Sequence, residues 1–392
     1  MNHLIKTESF KIFSNRDPIL LLCLGVALSA LAPITNAHAT GSIKVESNGF
    51  LRRSLDRSDS TSTLSVGPRL GDSGKWIEGK FELDAIVQMS DTKNLSVDRS
   101  AFTVESANAY VATSKKLWSK HQITVGRRVY DWSKFDDAWQ FGTVSPRFIW
   151  DPIRPQTVGL TGAFYEYKSK HWRVLGYGSA ISIPERGYPL RNENGKLLSS
   201  NPFYNPYFEE AVIAKRNIPI LYHVDYPPMS ELLLNAGGVV SVRHSSGEDG
   251  KGVWAQSLYG YLPVHQANLA VAPQYVLQQD AVDVRIHPSI QKHHLLSFET
   301  GYAGKQASLW ASQTFEKPTT QSVPSSWVQT KSGPAYISAV GGEVRVHPRW
   351  KLSSSFIYVK EEEPVLLEKP EFTLELPGRF PFHIRTKTGL RS

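Results

Sequence analysis

Cysteine is almost absent, with only Cys23 in 392 residues. One thiol cannot close an internal bridge, so no disulfide framework is built from this chain alone. Charge is sparse as well, at 20% Asp, Glu, Lys and Arg against 41% hydrophobic residues. Extensive disorder needs the reverse balance and is excluded. Long apolar runs are also missing. Residues 19–32 form the only continuous one, which is too short to span a bilayer as a helix. A polytopic helical membrane protein is therefore excluded.

The run at 19–32 follows Lys6, Lys11 and Arg16 and precedes Ala37-His38-Ala39. A basic start, a short apolar stretch and a small-x-small site describe a secretory signal peptide, with cleavage expected after Ala39. Leu22 before Cys23 lacks the small side chain a lipoprotein signal needs. The exported chain, residues 40–392, then carries no thiol. That suits an oxidising envelope compartment.

Helical periodicity is scarce, and only 208–216 reads as a short helix. The dominant period is two. Over 77–89, Ile77, Gly79, Phe81, Leu83, Ala85, Val87 and Met89 share one face. Glu78, Lys80, Glu82, Asp84 and Gln88 share the other, and Ile86 is the exception. Side chains alternate across a strand. Such a length exceeds an ordinary half-buried strand and suits a tilted membrane-crossing one. The same alternation sets Val282, Val284 and Ile286 against Asp283, Arg285 and His287. It also sets Val344 and Val346 against Glu343, Arg345 and His347, and Leu296 and Phe298 against Ser297 and Glu299.

About 14 strands are expected, near 42–53, 60–70, 76–90, 101–114, 121–130, 158–168, 172–183, 230–244, 252–263, 276–287, 294–312, 334–347, 351–360 and 380–387. A short repeat, Asp283-Val-Arg-Ile-His-Pro288 and Glu343-Val-Arg-Val-His-Pro348, ends in proline. That places both copies at strand ends leading into equivalent turns, with His287 and His347 as turn residues rather than metal ligands. Long irregular segments at 131–158, 184–228, 314–334 and 361–379 alternate with short turns. This one-sidedness is the habit of outer-membrane barrels.

Architecturally the chain resembles Gram-negative outer-membrane β-barrel proteins of the porin type. The segment Gly126-Arg127-Arg128, then Trp132, Asp151-Pro152 and Gly159-Leu160-Thr161-Gly162, is similar to a porin strand end, loop and following strand, with Arg in place of the usual Gln. The resemblance implies an all-β, transmembrane, antiparallel up-and-down barrel that conducts small polar solutes. It also implies outer-membrane lipid and lipopolysaccharide as surroundings, the barrel-assembly machinery as a partner, and a homo-oligomer. Such barrels end on an aromatic residue, whereas this chain ends Gly389-Leu390-Arg391-Ser392. The expectation is an atypical end or a truncated, incomplete barrel.

On this reading Glu78, Lys80, Glu82, Asp84, Arg128, Asp283, Arg285, Glu343 and Arg345 line the lumen. The exported chain carries a net charge of +7, which mildly favours anions unless the excess sits on exposed loops or on turns facing the periplasm. Trp132, Trp139 and Trp150, in the loop at 131–158, either narrow the pore and offer ring faces to flat solutes, or anchor at the membrane interface, or pack the loop against the wall. The tandem Asn201-Pro202 and Asn205-Pro206 units read as consecutive turns. Catalysis finds no support. His244 and Ser245 point to opposite faces of a strand, and no nucleophile elbow, zinc, phosphate or dinucleotide motif occurs. No cofactor or metal is expected, Glu361, Glu362 and Glu363 reading as a solvated loop. An exported chain also makes nucleic acid an improbable partner despite the basic balance. Two rivals stand beside the channel: a non-conducting structural or adhesion barrel, and a secreted soluble β-protein that binds carbohydrate.

Overall fold

The computed structural model describes residues 38–49, 60–90, 100–150, 155–187, 190–201, 208–213, 215–276, 280–319, 327–331, 333–347, 350–361, 365–366 and 385–391. The expected signal segment lies outside these residues, apart from its last two positions. So do the tandem Asn-Pro turns, apart from Asn201, and most of 361–379.

Among the described residues the wall is one antiparallel meander of fourteen strands. These are β1 (His38–Gly49), β2 (Ser60–Ser73), β3 (Ile77–Glu82, resuming as Asp84–Ser90), β4 (Ser100–Glu105, resuming as Ala109–Thr113), β5 (His121–Arg128), β6 (Leu160–Lys168), β7 (Trp172–Ser179) and β8 (Gly237–Ser245). They continue as β9 (Gly252–Pro263), β10 (Lys292–Ala303), β11 (Ala307–Pro318), β12 (Ala335–His347), β13 (Trp350–Glu361) and β14 (Arg385–Arg391). Each pairs with its neighbours in sequence order, from β1 at one end to β14 at the other. No β1–β14 ladder is found among the described residues. No described helix is long and apolar enough to cross a membrane, which says nothing about crossing by strands.

The period-two sequence is folded inside out. Along β10, His293, Leu295, Ser297 and Glu299 are buried, while Leu296, Phe298 and Tyr302 are exposed. Glu299 is 4% exposed and its neighbour Phe298 is 53%. On β5, Gln122 and Thr124 are buried while Ile123 and Val125 are exposed. On β9, Gln256 is buried between exposed neighbours. A water-soluble sheet would turn these faces around.

The sheet is curled around the chain at 131–158. Phe148 and Trp150 pack with Ile86 of β3, while Phe135 packs with Ile337 and Ala339 of β12 and Ile357 of β13. Strands β3 and β13 are ten positions apart, about 48 Å in a flat sheet. The partly helical stretch from Phe135 to Phe148 reaches only roughly 35 Å. Curvature brings the two together. The same packing explains Ile86, the apolar exception on the polar face of β3.

The connections are one-sided. Short turns at 74–76, 169–171, 246–251 and 304–306 close one end. At the other end the links after β5, β7, β9 and β11 are long.

Three expectations need correction. First, 276–287 is a strand (Ala281–Ser289) but not a wall strand. It lies in a separate six-stranded end sheet, parallel to Arg216–Val224 and antiparallel to Asn268–Val276. Its Val282, Val284 and Ile286 are buried in a local core with Leu197, Ile218 and Tyr222. Second, 294–312 is not one strand, because Gly304, Lys305 and Gln306 turn the chain between β10 and β11. Third, 208–216 is not a helix. Glu210–Ile213 pairs antiparallel with Arg216–Val224 through a turn with Lys215 at φ 64°, where β-branched Val212 and Ile213 favour the strand. The strand total of fourteen nevertheless stands.

The helix that does form on the concave side is α1 (Lys134–Trp139). Ser133 caps it, accepting from the Asp136 amide at 3.1 Å. A serine followed three positions later by an acid is a helix-start signal.

Candidate functional site

The concave face carries charge in paired rows. Glu78 accepts from the Gln122 amide at 2.6 Å. Lys80 lies 2.8 Å from Glu82, and Asp84 accepts from Arg69 through both carboxylate oxygens at 2.7 Å and from the Ser65 hydroxyl at 3.4 Å. Arg128 lies over the rings of Tyr110 and Tyr130, at 4.4 and 4.5 Å, and donates to Thr124 at 2.9 Å. Arg173 bonds Glu166 at 2.7 Å, and the Arg243 guanidinium covers Trp254 at 4.2 Å. Guanidiniums on aromatic faces combine cation–π attraction with a fixed orientation.

Four of the expected lining residues therefore sit on β3, and Arg128 on β5. Glu343 and Arg345 sit on β12, in alternate register with the buried Ile337 and Ala339. Asp283 and Arg285 do not join them. Both lie in the end sheet, Asp283 3.2 Å from His223 and Arg285 2.8 Å from Asp225. This also separates the two repeat copies: His347 ends a wall strand, while His287 belongs to the end sheet.

Alternation alone overlooked Arg69, Arg173 and Arg243 on this face. Ser241-Val242-Arg243-His244 shares the Val-Arg pair of the two repeat copies, a sequence signal for Arg243. Gly126 contributes a backbone feature, with φ at +122° directly before Arg127 and Arg128. Arg127 leaves the strand end to pair with buried Glu105 at 3.0 Å and to donate to the Gly159 carbonyl at 3.0 Å.

The described residues of 131–158 occupy the concave side. Tyr130, Trp132 and Val144 pack into a core with Leu160, Phe164, Leu175, Val239, Leu258, Leu262 and Leu295 from five wall strands. Glu299 receives the Ser133 hydroxyl at 2.6 Å and the Lys134 and Phe135 amides at 2.9 and 3.2 Å. Gln256 donates to the Trp132 carbonyl. Trp132 and Trp150 are buried, and Trp139 packs against the Phe135 cluster. The aromatic rings thus anchor the segment to the wall. Trp132 and Trp150 neither stand at a lipid interface nor present an open face.

The exposed residues of this segment include Asp131 and Asp137, together with Phe141. Asp137 pairs with Lys134 at 3.5 Å, and burial pushes its carboxyl up to about 6 against the pull of that lysine. Burial also raises Asp136, opposed by the amides of Thr143, Val144 and Gly142. Among the described residues no group of three or more His, Cys, Asp and Glu is arranged to hold a metal.

No family model and no curated protein matches the chain. Among solved structures it is similar to OmpT, an outer membrane protein of Vibrio cholerae, with 9% identity over 83% of this chain and 89% of that one and a TM-score of 0.32. The anion-selective porin from Comamonas acidovorans gives 9%, 83%, 90% and 0.34 in the same order. OmpF of Salmonella typhi gives 9%, 84%, 92% and 0.36. At these scores the functional reading has to rest on the chain's own geometry.

Proposed function

We propose that the chain is an outer-membrane, porin-like barrel through which small polar solutes diffuse, with segment 131–158 narrowing the lumen. The observation that carries this reading is the inside-out wall, with apolar residues exposed on the convex face and charged, hydrogen-bonded residues on the concave one. In hydrocarbon an unpaired backbone amide costs several kcal/mol, so a spanning sheet has to close. The β1–β14 seam is where it would do so. Exposed Trp76, Trp118, Trp172 and Tyr302 near the short turns, and Tyr261 and Tyr336 near the long ones, fit the two aromatic girdles of such a barrel.

On this reading the chain is exported, cleaved near Ala39 and inserted by the assembly machinery among outer-membrane lipids, as a monomer or homo-oligomer. Transport involves no covalent step. Arg128, Arg173 and Arg243 lie on one stretch of wall, the Arg173 guanidinium reaching the Asp131 carbonyl of the inner segment at 3.5 Å. Their positive field biases the passage toward anions.

Planar-bilayer recording tests the proposal. Stepwise conductance supports it, and a correctly inserted but silent protein overturns conduction. One observation favours that second outcome, a structural barrel: 131–158 touches β3, the strands from β6 to β10, and β12 to β13, so it reaches the wall on three sides.

A further inference from the structure

We infer that His265 is the acid-sensitive part of a clamp joining three loops, and that its protonation loosens residues 141–150 from the loops bearing Glu185 and His265. The clamp lies at the long-loop end. His265, in the link after β9, is 3% exposed. Its Nε2 stands 2.8 Å from the Val144 carbonyl oxygen. A carbonyl only accepts, so Nε2 carries the proton and Nδ1 is a bare lone pair. That Nδ1 is buried without a hydrogen-bond partner.

The neighbouring groups decide what an added proton would meet. The Glu185 amide donates to the His265 carbonyl at 2.8 Å. The Glu185 carboxylate already accepts from Arg147, at 2.6 and 3.1 Å, and from Gln266 at 3.1 Å. Segment 131–158 is thus tied through Val144 and Arg147 to the loops bearing Glu185 and His265. The remaining charged and titratable groups facing the site are His293, paired with Glu316 at 2.5 Å, and Asp136, which holds the Val144 amide at 3.3 Å. His293 keeps its own Nε2 buried without a partner. A second proton on His265 would therefore be a buried charge with Arg147 and His293 nearby and the Glu185 oxygens already engaged.

Burial holds His265 down, at about 4, against an ordinary value near 6.5. A base depressed in the docked state stabilises docking above the ordinary value and loses that contribution as pH falls toward the docked one. Asp136 works in the opposite direction, because a carboxyl raised by burial binds its proton more tightly when docked.

Amide hydrogen exchange of the lipid-inserted protein, followed by mass spectrometry, reads the clamp directly. Between pH 7.5 and pH 4.5 the peptide at 141–150 should lose protection, by up to about 10²-fold if His265 acts alone and by less where Asp136 opposes it, after correction for intrinsic exchange. Wall strand β10 should keep its protection. In His265→Gln the amide still donates to Val144 but does not titrate, so protection at 141–150 should stay level. Unchanged protection in the native protein overturns the inference, as does an equal loss in the Gln variant. Should that variant fail to fold, the native comparison alone decides. The channel reading fails separately, through silence in bilayers at both pH values, and the exchange result is independent of it.

Discussion

The carboxylate of Glu299 on β10 accepts the Ser133 hydroxyl at 2.6 Å, so one wall residue holds the start of α1. The same group takes the Lys134 and Phe135 amides. A carboxylate at a helix N-terminus satisfies amides the helix itself leaves unpaired.

Glu299→Ala should therefore release the inner segment without unfolding the wall. Three donors would lose a charged acceptor, at roughly 1.5–3 kcal/mol for each such bond. The expected outcome is a larger and noisier single-channel conductance with an unchanged boiling-dependent gel shift. Identical conductance would show that Gln256 and the aromatic core hold the segment unaided.

Gly126→Ala should be costly for a backbone reason. The added Cβ would stand 2.4 Å from the Ala109 carbonyl oxygen and 2.8 Å from the Tyr110 Cα, at a φ of +122°. Strain at such a position costs on the order of 1–3 kcal/mol before the clash is counted. A lower urea midpoint for refolding into detergent micelles is expected.

Replacing Arg128, Arg173 and Arg243 together with Gln should lower the anion-to-cation permeability ratio in a salt gradient. An unchanged reversal potential would place the selectivity in the loops outside the wall.

The Asp137 carboxyl, at about 6, predicts a pH dependence with a definite sign. Below pH 6 it is neutral, the interior loses a negative charge, and anion preference rises. Above pH 6 the preference falls. Reversal potentials between pH 5 and pH 7 should show this step in the native protein and not in Asp137→Asn.

Much of the wall could be read from the sequence because an inside-out strand writes its pattern at every second residue. Glu78 to Gln88 on one face and Ile77 to Met89 on the other specify both the strand and its orientation. The same pattern misled at 281–289. Val282, Val284 and Ile286 alternate as cleanly as Leu296 and Phe298, yet their apolar face is covered by Leu197, Ile218 and Tyr222. Period two reports a two-faced strand and not what covers each face, so it does not distinguish Asp283 and Arg285 of the end sheet from the charged residues of the wall. The role of 131–158 as an anchored inner segment had no local signature either. Its anchor Glu299 is 166 positions from Ser133, and spacing along a chain carries no trace of such a pairing.

The reading proposed for the wall requires that its exposed apolar face meet lipid. A Phe298→Cys variant carrying a fluorophore, in vesicles whose acyl chains bear nitroxide quenchers, tests it most directly, with an Asp137→Cys label as the interior comparison. A lipid-facing Phe298 gives strong quenching at 298 and little at 137. Equal quenching at both positions, or a label at 298 reached only by a water-soluble quencher, would contradict it.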